Sequence, residues 1–362
     1  MMPVDSKVRY KSPHPPALSP AQARMTAALA QKRFFKLIAG GSLTDAPAVA
    51  ALCHVYALAG ADCVDIAPDP AVLAAVANAW RALPPETGRP VVMVSLPLDA
   101  DPHFRKIELR SDDCILCGLC EPVCPTHAIA MPDHTGSDAM LSIHQPGCYG
   151  CNRCVEICPT DALVLHPFRV ESQLRAVLAH PLVEAVEIHT GFADPYMLPG
   201  FLSQYGDLLR GKLVALCFRP EDADGQPALP PAQWLTFIRQ LEAALDFPLI
   251  LQIDGRPMSA TADPQASLPA LQAARRVLAI LATADEPGRL VTISGGINSH
   301  TARWLNTPQY AAIAGAGLGT FARQWVWTDL FEPQGAASGA VGRFEPVLKK
   351  AAALVDTFHT RA

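Results

Sequence analysis

The sequence predicts an α/β fold, a (β/α)8 barrel-like domain with an inserted ferredoxin-like 2[4Fe-4S] module. Three observations predict it. Short apolar runs alternate with Ala/Leu-rich helical stretches eight times. The alternation stops once, between 105 and 167. That interruption holds eight of the 11 cysteines.

Taken in order, residues 1–32 read as a flexible Pro/Ala-rich arm ending in a short Ala-rich helix. Strand-like runs rich in Val, Ile and Leu follow at 34–39, 63–67, 91–96, 184–189, 212–218, 248–254, 290–294 and 311–315. Helical patterns fall at 46–59, 71–83, 170–179, 197–209, 231–245, 268–282 and 300–305, then at 320–330 and 344–358. Continuous apolar strands alternating with helices mean a parallel sheet covered on both faces. Eight units predict closure into a barrel, with an open doubly wound sheet as the alternative. The alternating segments, 33–104 and 168–358, together approach the ~250 residues usual for such a barrel. The interruption follows the third strand and precedes the third helix, so it is a βα loop. It should stand over the C-terminal face, where barrel active sites are built. The chain thus divides into the arm (1–32), a first barrel part (33–104), the module (105–167), and a second barrel part with a C-terminal helix (168–362).

Half the residues are hydrophobic, enough for a large core. A formal net charge of −5 argues against nucleic acid and anionic membrane as partners. No apolar run reaches the roughly 18 residues of a membrane span. The N-terminal stretch lacks the apolar core of a secretory signal. Cytoplasm is the expected compartment, and a disulfide framework is not expected. Cys53, Cys63 and Cys217 stand singly in apolar runs and read as small core residues.

The clustered cysteines form two runs of one pattern. Cys114, Cys117, Cys120 and Cys124 precede Pro125, and Cys148, Cys151, Cys154 and Cys158 precede Pro159. A shift of 34 residues lands every cysteine on a cysteine, and Thr126 on Thr160. Three thiolates two residues apart wrap one cubane cluster, while the fourth of each run reaches the other. One [4Fe–4S] cluster is therefore assigned Cys114, Cys117, Cys120 and Cys158, and the other Cys148, Cys151, Cys154 and Cys124. Structural zinc also uses Cys-x2-Cys pairs, but it needs no triplet with a crossed fourth ligand. Ile115, Leu116, Val123, Ile129, Val155, Ile157 and Leu163 should line the clusters as an apolar sleeve. Residues 105–167 carry four Arg/Lys against eight Asp/Glu. That acidic surface suits a basic partner face or simple solvation.

Glycine-rich segments end the last two units: Gly295 and Gly296 after the seventh strand, and 315–319 after the eighth. Such turns feed helix N-termini where many barrels hold a phosphate. Gly295, Gly296, Gly317 and Gly319, with Lys36 as the charged partner, are the candidate site for FMN or another phosphate-bearing ligand. Lys36, Asp65, Glu187, His189, Arg219, Gln252 and Asp254 lie in or at the ends of apolar strands. Each reads singly as a solvated strand end, or as a Lys36–Asp65 core pair. Together they could line a site beneath the clusters. The isolated histidines receive no role.

On several segments the chain resembles the light-dependent period (LdpA) family of cyanobacteria. They are RFFKLI at 33–38, Gly40-Gly41-Ser42, 56–65, DPHFRK at 101–106, 148–154, 294–296 and 317–323. That family comprises iron–sulfur proteins linked to redox input into the circadian clock. The resemblance implies a redox-sensing or electron-transfer protein that reports to a redox or signalling partner, such as a clock-input protein. The alternative function is an oxidoreductase whose clusters feed a flavin or phosphate-bearing ligand at the barrel mouth.

Overall fold

Runs of Val, Ile and Leu that are apolar on both faces pair side by side until the sheet meets itself. The computed structural model describes residues 16–98, 101–134, 136, 139–190, 195–221, 228–255, 262–286, 288–331 and 340–361. Its barrel strands are β1 (Phe34–Ile38), β2 (Cys63–Ile66), β3 (Val91–Pro97), β4 (Val183–His189), β5 (Leu213–Phe218), β6 (Ile250–Asp254), β7 (Leu290–Ser294) and β8 (Gly315–Leu318). Each pairs in parallel with the next, and β8 closes on β1 through Lys36↔Gly317. Closure excludes the open sheet.

The outer helices are α1 (Ala46–Leu58), α2 (Pro70–Trp80), α3 (Glu171–Ala179), α4 (Leu198–Tyr205), α5 (Pro231–Ala243), α6 (Leu268–Thr283), α7 (Thr301–Leu305) and α8 (Thr320–Phe331). Local chemistry starts several of them. Asp45 caps α1 through Ala48 N–H, and Asp69 caps α2 through two amides. A proline sits in the first turn of both. A last helix, Ala340–His359, packs Phe358 edge-on against Phe35 at 5.5 Å.

Two expectations need correction. Residues 20–30 are not part of a flexible arm. Ser19 and Gln22 form a capping box for the helix Pro20–Ala30. Its Ala21, Met25, Ala28 and Leu29 plug the bottom of the barrel against Phe34, Val91 and Leu213. Gln22 Nε2 ties it to the carbonyls of Glu184 and Gly211, both at 2.9 Å. Residues 1–15 of the expected arm lie outside the described residues. The eighth strand is also displaced from 311–315 to Gly315–Leu318, so the glycine run is the strand rather than the turn after it. The reason is space. A Cβ on Gly315 would stand 2.2 Å from the Phe34 carbonyl oxygen, and one on Gly317 would meet Ile38 and the Lys36 side chain.

Between β3 and α3 the chain leaves the barrel. Strands Arg105–Leu109 and Leu163–Pro167 pair antiparallel, and Ile129–Ala130 pairs with Ser142–Ile143. The segment has its own small core, built from Ile107, Ile129, Leu141, Leu163 and the cysteines.

Candidate functional site

The 34-residue repeat is written into the backbone. Left-handed φ values recur in pairs: Leu116 (52°) with Gly150 (66°), Gly118 (76°) with Asn152 (72°), and His127 (50°) with Asp161 (53°). Each pair differs by 34 positions. Side chains repeat as well, since Cys124 Sγ lies 3.7 Å from Thr126 Oγ1 and Cys158 Sγ 3.8 Å from Thr160 Oγ1.

The two halves enclose two hollows of about 350 and 310 Å³. Cys114, Cys117, Cys120 and Cys158 line the first. Cys124, Cys148, Cys151 and Cys154 line the second. Each hollow thus gathers three cysteines of one run and the last of the other. Backbone amides point at the sulfurs. Ala128 N–H donates to Cys124 Sγ at 3.2 Å, and Ile107 and Gly150 N–H donate to Cys148 Sγ at 3.4 and 3.5 Å. Four soft thiol donors with amide N–H groups around an otherwise apolar hollow are a donor set suited to a [4Fe–4S] cube.

The two hollows differ in what surrounds them. Ile115 is 64% exposed, whereas its repeat mate Tyr149 is 4% exposed and belongs to the barrel core. Cys117 is exposed and Cys148 buried. Ile157, 43% exposed, is another departure from the expected sleeve. Ile115 is uncovered because the barrel packs on Tyr149, its mate in the other half-repeat, and not on Ile115 itself.

The run 101–106 builds the seam. Phe104 packs on Gly41, where a Cβ would lie 2.8 Å from its ring. Lys106 Nζ donates to the carbonyls of Gln145 (2.6 Å) and Cys148 (3.0 Å). Arg105 carries the carbonyl that lies 2.4 Å from where a Gly150 Cβ would stand, so only glycine fits there. From the barrel side, Ser42 Oγ donates to the His103 carbonyl at 3.0 Å. Arg323 stacks over the Tyr149 ring, 4.3 Å from its centroid.

Beneath the seam a cavity opens at the C-terminal mouth of the barrel. Gly295, Gly296 and Gly319 line it, with Asp65, His103, His189, Asp254, Tyr149, Thr320 and Arg323. Gly317 and Lys36 lie deeper, in the barrel wall and interior. Lys36 is 1% exposed and cannot serve a mouth ligand. It pairs with Glu187, and with Asp65 at 3.8 Å. Glu187 also receives Gln252 Nε2 at 2.8 Å and lies 2.9 Å from His189 Nε2. Ser95 donates to Asp65 at 2.7 Å. The core-pair reading of Lys36–Asp65 is therefore what the structure contains, enlarged by Glu187. Gly295 and Gly296 both have left-handed φ, and a Cβ on Gly296 would lie 2.2 Å from the Ala266 carbonyl oxygen. Bulkier residues at 296 or 317 would therefore break the turn or the wall before touching any ligand.

His103 and His189 meet in this mouth, 5.3 Å apart, so the histidines do have a common place. His103 Nδ1 lies 2.7 Å from Asp101 Oδ1. Only the fold brings His103 and His189 together. His189 is among the polar strand residues read together as a site beneath the clusters, and Asp65, Gln252 and Asp254 of that set line the same cavity, whereas His103 stands in the sequence only within the DPHFRK segment. Burial disfavours the charged form of both rings, but their neighbours outweigh it. Asp101 and Asp254 raise His103, and Cys217, together with Asp101 and Glu187, raises His189 well above the ordinary 6.5. Burial alone would raise Glu187, yet Lys36 and His189 hold it at about 2. Burial, with repulsion from Glu187, lifts Asp65 to about 6 against the pull of Lys36.

A histidine raised in the folded state stabilises the fold fully below its unfolded value of 6.5 and loses that contribution as pH rises through the folded value. Thermal stability should therefore fall as pH rises above 6.5, and His103→Gln should flatten that fall. Identical alkaline profiles for wild type and variant would contradict the assignment.

Comparison with known proteins agrees with this geometry. A family model described as a 4Fe-4S dicluster domain matches residues 113–162, and one described as Light dependent period A C-terminal domain matches 177–357. The chain is thus an iron–sulfur protein. Light dependent period A of Synechococcus elongatus is 33% identical over 320 residues, covering 84% of each chain. Among solved structures, tryptophan synthase from M. tuberculosis in its aminoacrylate-bound form superposes with TM-score 0.40 at 12% identity, over 92% of this chain and 99% of that one. (S)-3-O-geranylgeranylglyceryl phosphate synthase from Thermoplasma acidophilum does so with TM-score 0.42 at 12% identity, over 94% and 99%. Among the described residues no helix is long and apolar enough to cross a membrane.

Proposed function

We propose, from the premise that this chain belongs to the Light dependent period A family, that it senses redox state through two clusters and reports it to a partner protein. Cys114, Cys117, Cys120 and Cys158 would hold one [4Fe–4S] cluster, and Cys124, Cys148, Cys151 and Cys154 the other. When bound, the clusters supply reversible one-electron storage and transfer. The chain's own residues give this a direction. Cys117, Ile115 (64% exposed) and Leu119 (46% exposed) leave the first hollow open to a redox partner. Tyr149, under Arg323, and Lys106, which reaches Thr44 Oγ1 at 3.3 Å, tie the second to the barrel. The acidic module favours a partner with a basic face. By extension from the Synechococcus relative's name, the receiving partner is a clock-input protein in the cytoplasm.

The observation that carries this reading is the Ile115–Tyr149 asymmetry. Equivalent positions of one repeat meet solvent in one half and the barrel core in the other. The test is hydrogen exchange on anaerobic holoprotein, oxidised against reduced. Protection should change at the seam, in 40–44, 144–150 and the first turn of α8. A seam indifferent to reduction would reduce the protein to a plain carrier. The cavity under the module favours a second reading, an oxidoreductase with FMN or another phosphate-bearing ligand in the mouth.

A further inference from the structure

Two polar atoms in the mouth are buried and have no hydrogen-bond partner: the Tyr149 hydroxyl and Arg323 Nε. Both residues are 4% exposed, and both line the cavity. A buried donor left unsatisfied loses its hydration without gaining a partner. Two of them on stacked side chains mark a place where acceptor atoms belong. The rest of the Arg323 guanidinium is held in position. Nη1 donates to the carbonyls of Ile38 and Ala39, each at 2.9 Å, and Nη2 to Thr320 Oγ1 at 2.9 Å. Among the described residues no carboxylate pairs with it. Thr320 and Arg323 interact with the Tyr149 hydroxyl, but no group meets it in hydrogen-bonding geometry. The first turn of α8, a helix of 12 residues, adds its amide ends on the same side. The same cavity is also lined by Asp65, Asp254, His103 and His189.

We propose that the mouth binds a small organic oxyanion, a carboxylate or a phosphate monoester, gripped by Tyr149 Oη–H and Arg323 Nε–H, and that its occupancy tunes the cluster of the second hollow. A guanidinium edge and a phenol are good donors to either anion. Lys36 takes no part. Tyr149 lies between Cys148 and Cys151, so an anion on its hydroxyl sits beside the second cluster and not the first. Added negative charge makes reduction harder. The ligand therefore binds the oxidised protein more tightly, and a tenfold preference lowers that cluster's potential by about 59 mV. The coupling, though not the binding, rests on the cluster assignment proposed above.

The test uses anaerobic holoprotein, with calorimetry for binding and a redox titration for coupling. The probes are glycerol phosphate, succinate and FMN, each at up to millimolar concentration. Saturable binding of glycerol phosphate, of succinate or of both is expected, and the tighter one identifies the source of the oxyanion. Tyr149→Phe should weaken it roughly tenfold while keeping cluster content, with a melting temperature unchanged or higher because an unsatisfied hydroxyl is gone. Arg323→Lys should weaken it at least as much. Saturating ligand should move one of the two reduction steps to lower potential in wild type and neither in Tyr149→Phe. Absence of binding by all three probes, or equal binding by wild type and Tyr149→Phe, overturns the site. Binding of FMN alone replaces the small oxyanion with a flavin. Binding without a shift in potential overturns the coupling alone.

Discussion

Cys124→Ser should remove the cluster held beside the barrel, although Cys124 belongs to the first cysteine run. In the fold Cys124 faces Cys148, Cys151 and Cys154, and Cys158 faces Cys114, Cys117 and Cys120. Iron in anaerobically prepared protein should fall from about eight to about four per chain in both Cys124→Ser and Cys158→Ser. The two losses should differ in where they are felt. Without the second cluster, the 144–150 segment loses what its cysteines surround, and Tyr149 and Lys106 lose a fixed base. Proteolysis and hydrogen exchange at the seam should rise in Cys124→Ser and stay near wild type in Cys158→Ser. The reverse pattern would mean that each run holds its own cluster. Because three of the seven buried residues of the module's small core are cysteines, loss of both clusters should unfold 105–167 while the barrel keeps its helices.

Lys36→Met should be the most destabilising single change inside the barrel. It removes the lysine cation that Glu187 and Asp65 share, leaving Glu187 with His189 as its remaining cationic partner. Breaking one side of a buried ion pair costs about 3–5 kcal/mol, whereas replacing both sides with apolar groups is often neutral. Denaturant unfolding should show that loss for Lys36→Met. A Lys36→Met, Glu187→Gln double variant should recover part of it, since Gln keeps a hydrogen-bonding end for Gln252 and His189 without the charge. A cost below about 1 kcal/mol for the single change would mean that the pair is solvated and that Lys36 is free to serve the mouth.

Much of the barrel is legible because parallel strands are buried on both faces and so read as unbroken apolar runs. The eighth strand escapes that logic. Gly315-Ala316-Gly317-Leu318 has no such run, because Phe34 and Lys36 fill the space its side chains would need. The short helix at the end of the arm is legible as an Ala-rich stretch, but its docking is not. The prolines before it suggest a loose arm, and the sequence does not show that Ala21, Met25, Ala28 and Leu29 pack against the barrel floor. In the module, a repeat of 34 residues carries both the pairing of cysteines and the matched left-handed positions. What the repeat cannot convey is which half meets the barrel, since Ile115 and Tyr149 hold equivalent places. The mouth is least legible. Asp101, Tyr149, His189 and Arg323 come from four distant segments that only closure of the sheet brings together, and in the sequence Arg323 is no more than the last residue of the segment 317–323 that resembles the family.

Electron paramagnetic resonance of the stepwise-reduced holoprotein, with power saturation in the presence of a water-soluble paramagnetic metal chelate, tests the central claim most directly. Two [4Fe–4S] signals should appear. The soluble chelate should relax one strongly, from the hollow with exposed Cys117, and the other weakly, from the hollow sealed by Tyr149. A single cluster, or two clusters relaxed to the same degree, would contradict the account of one outward-facing and one barrel-facing centre.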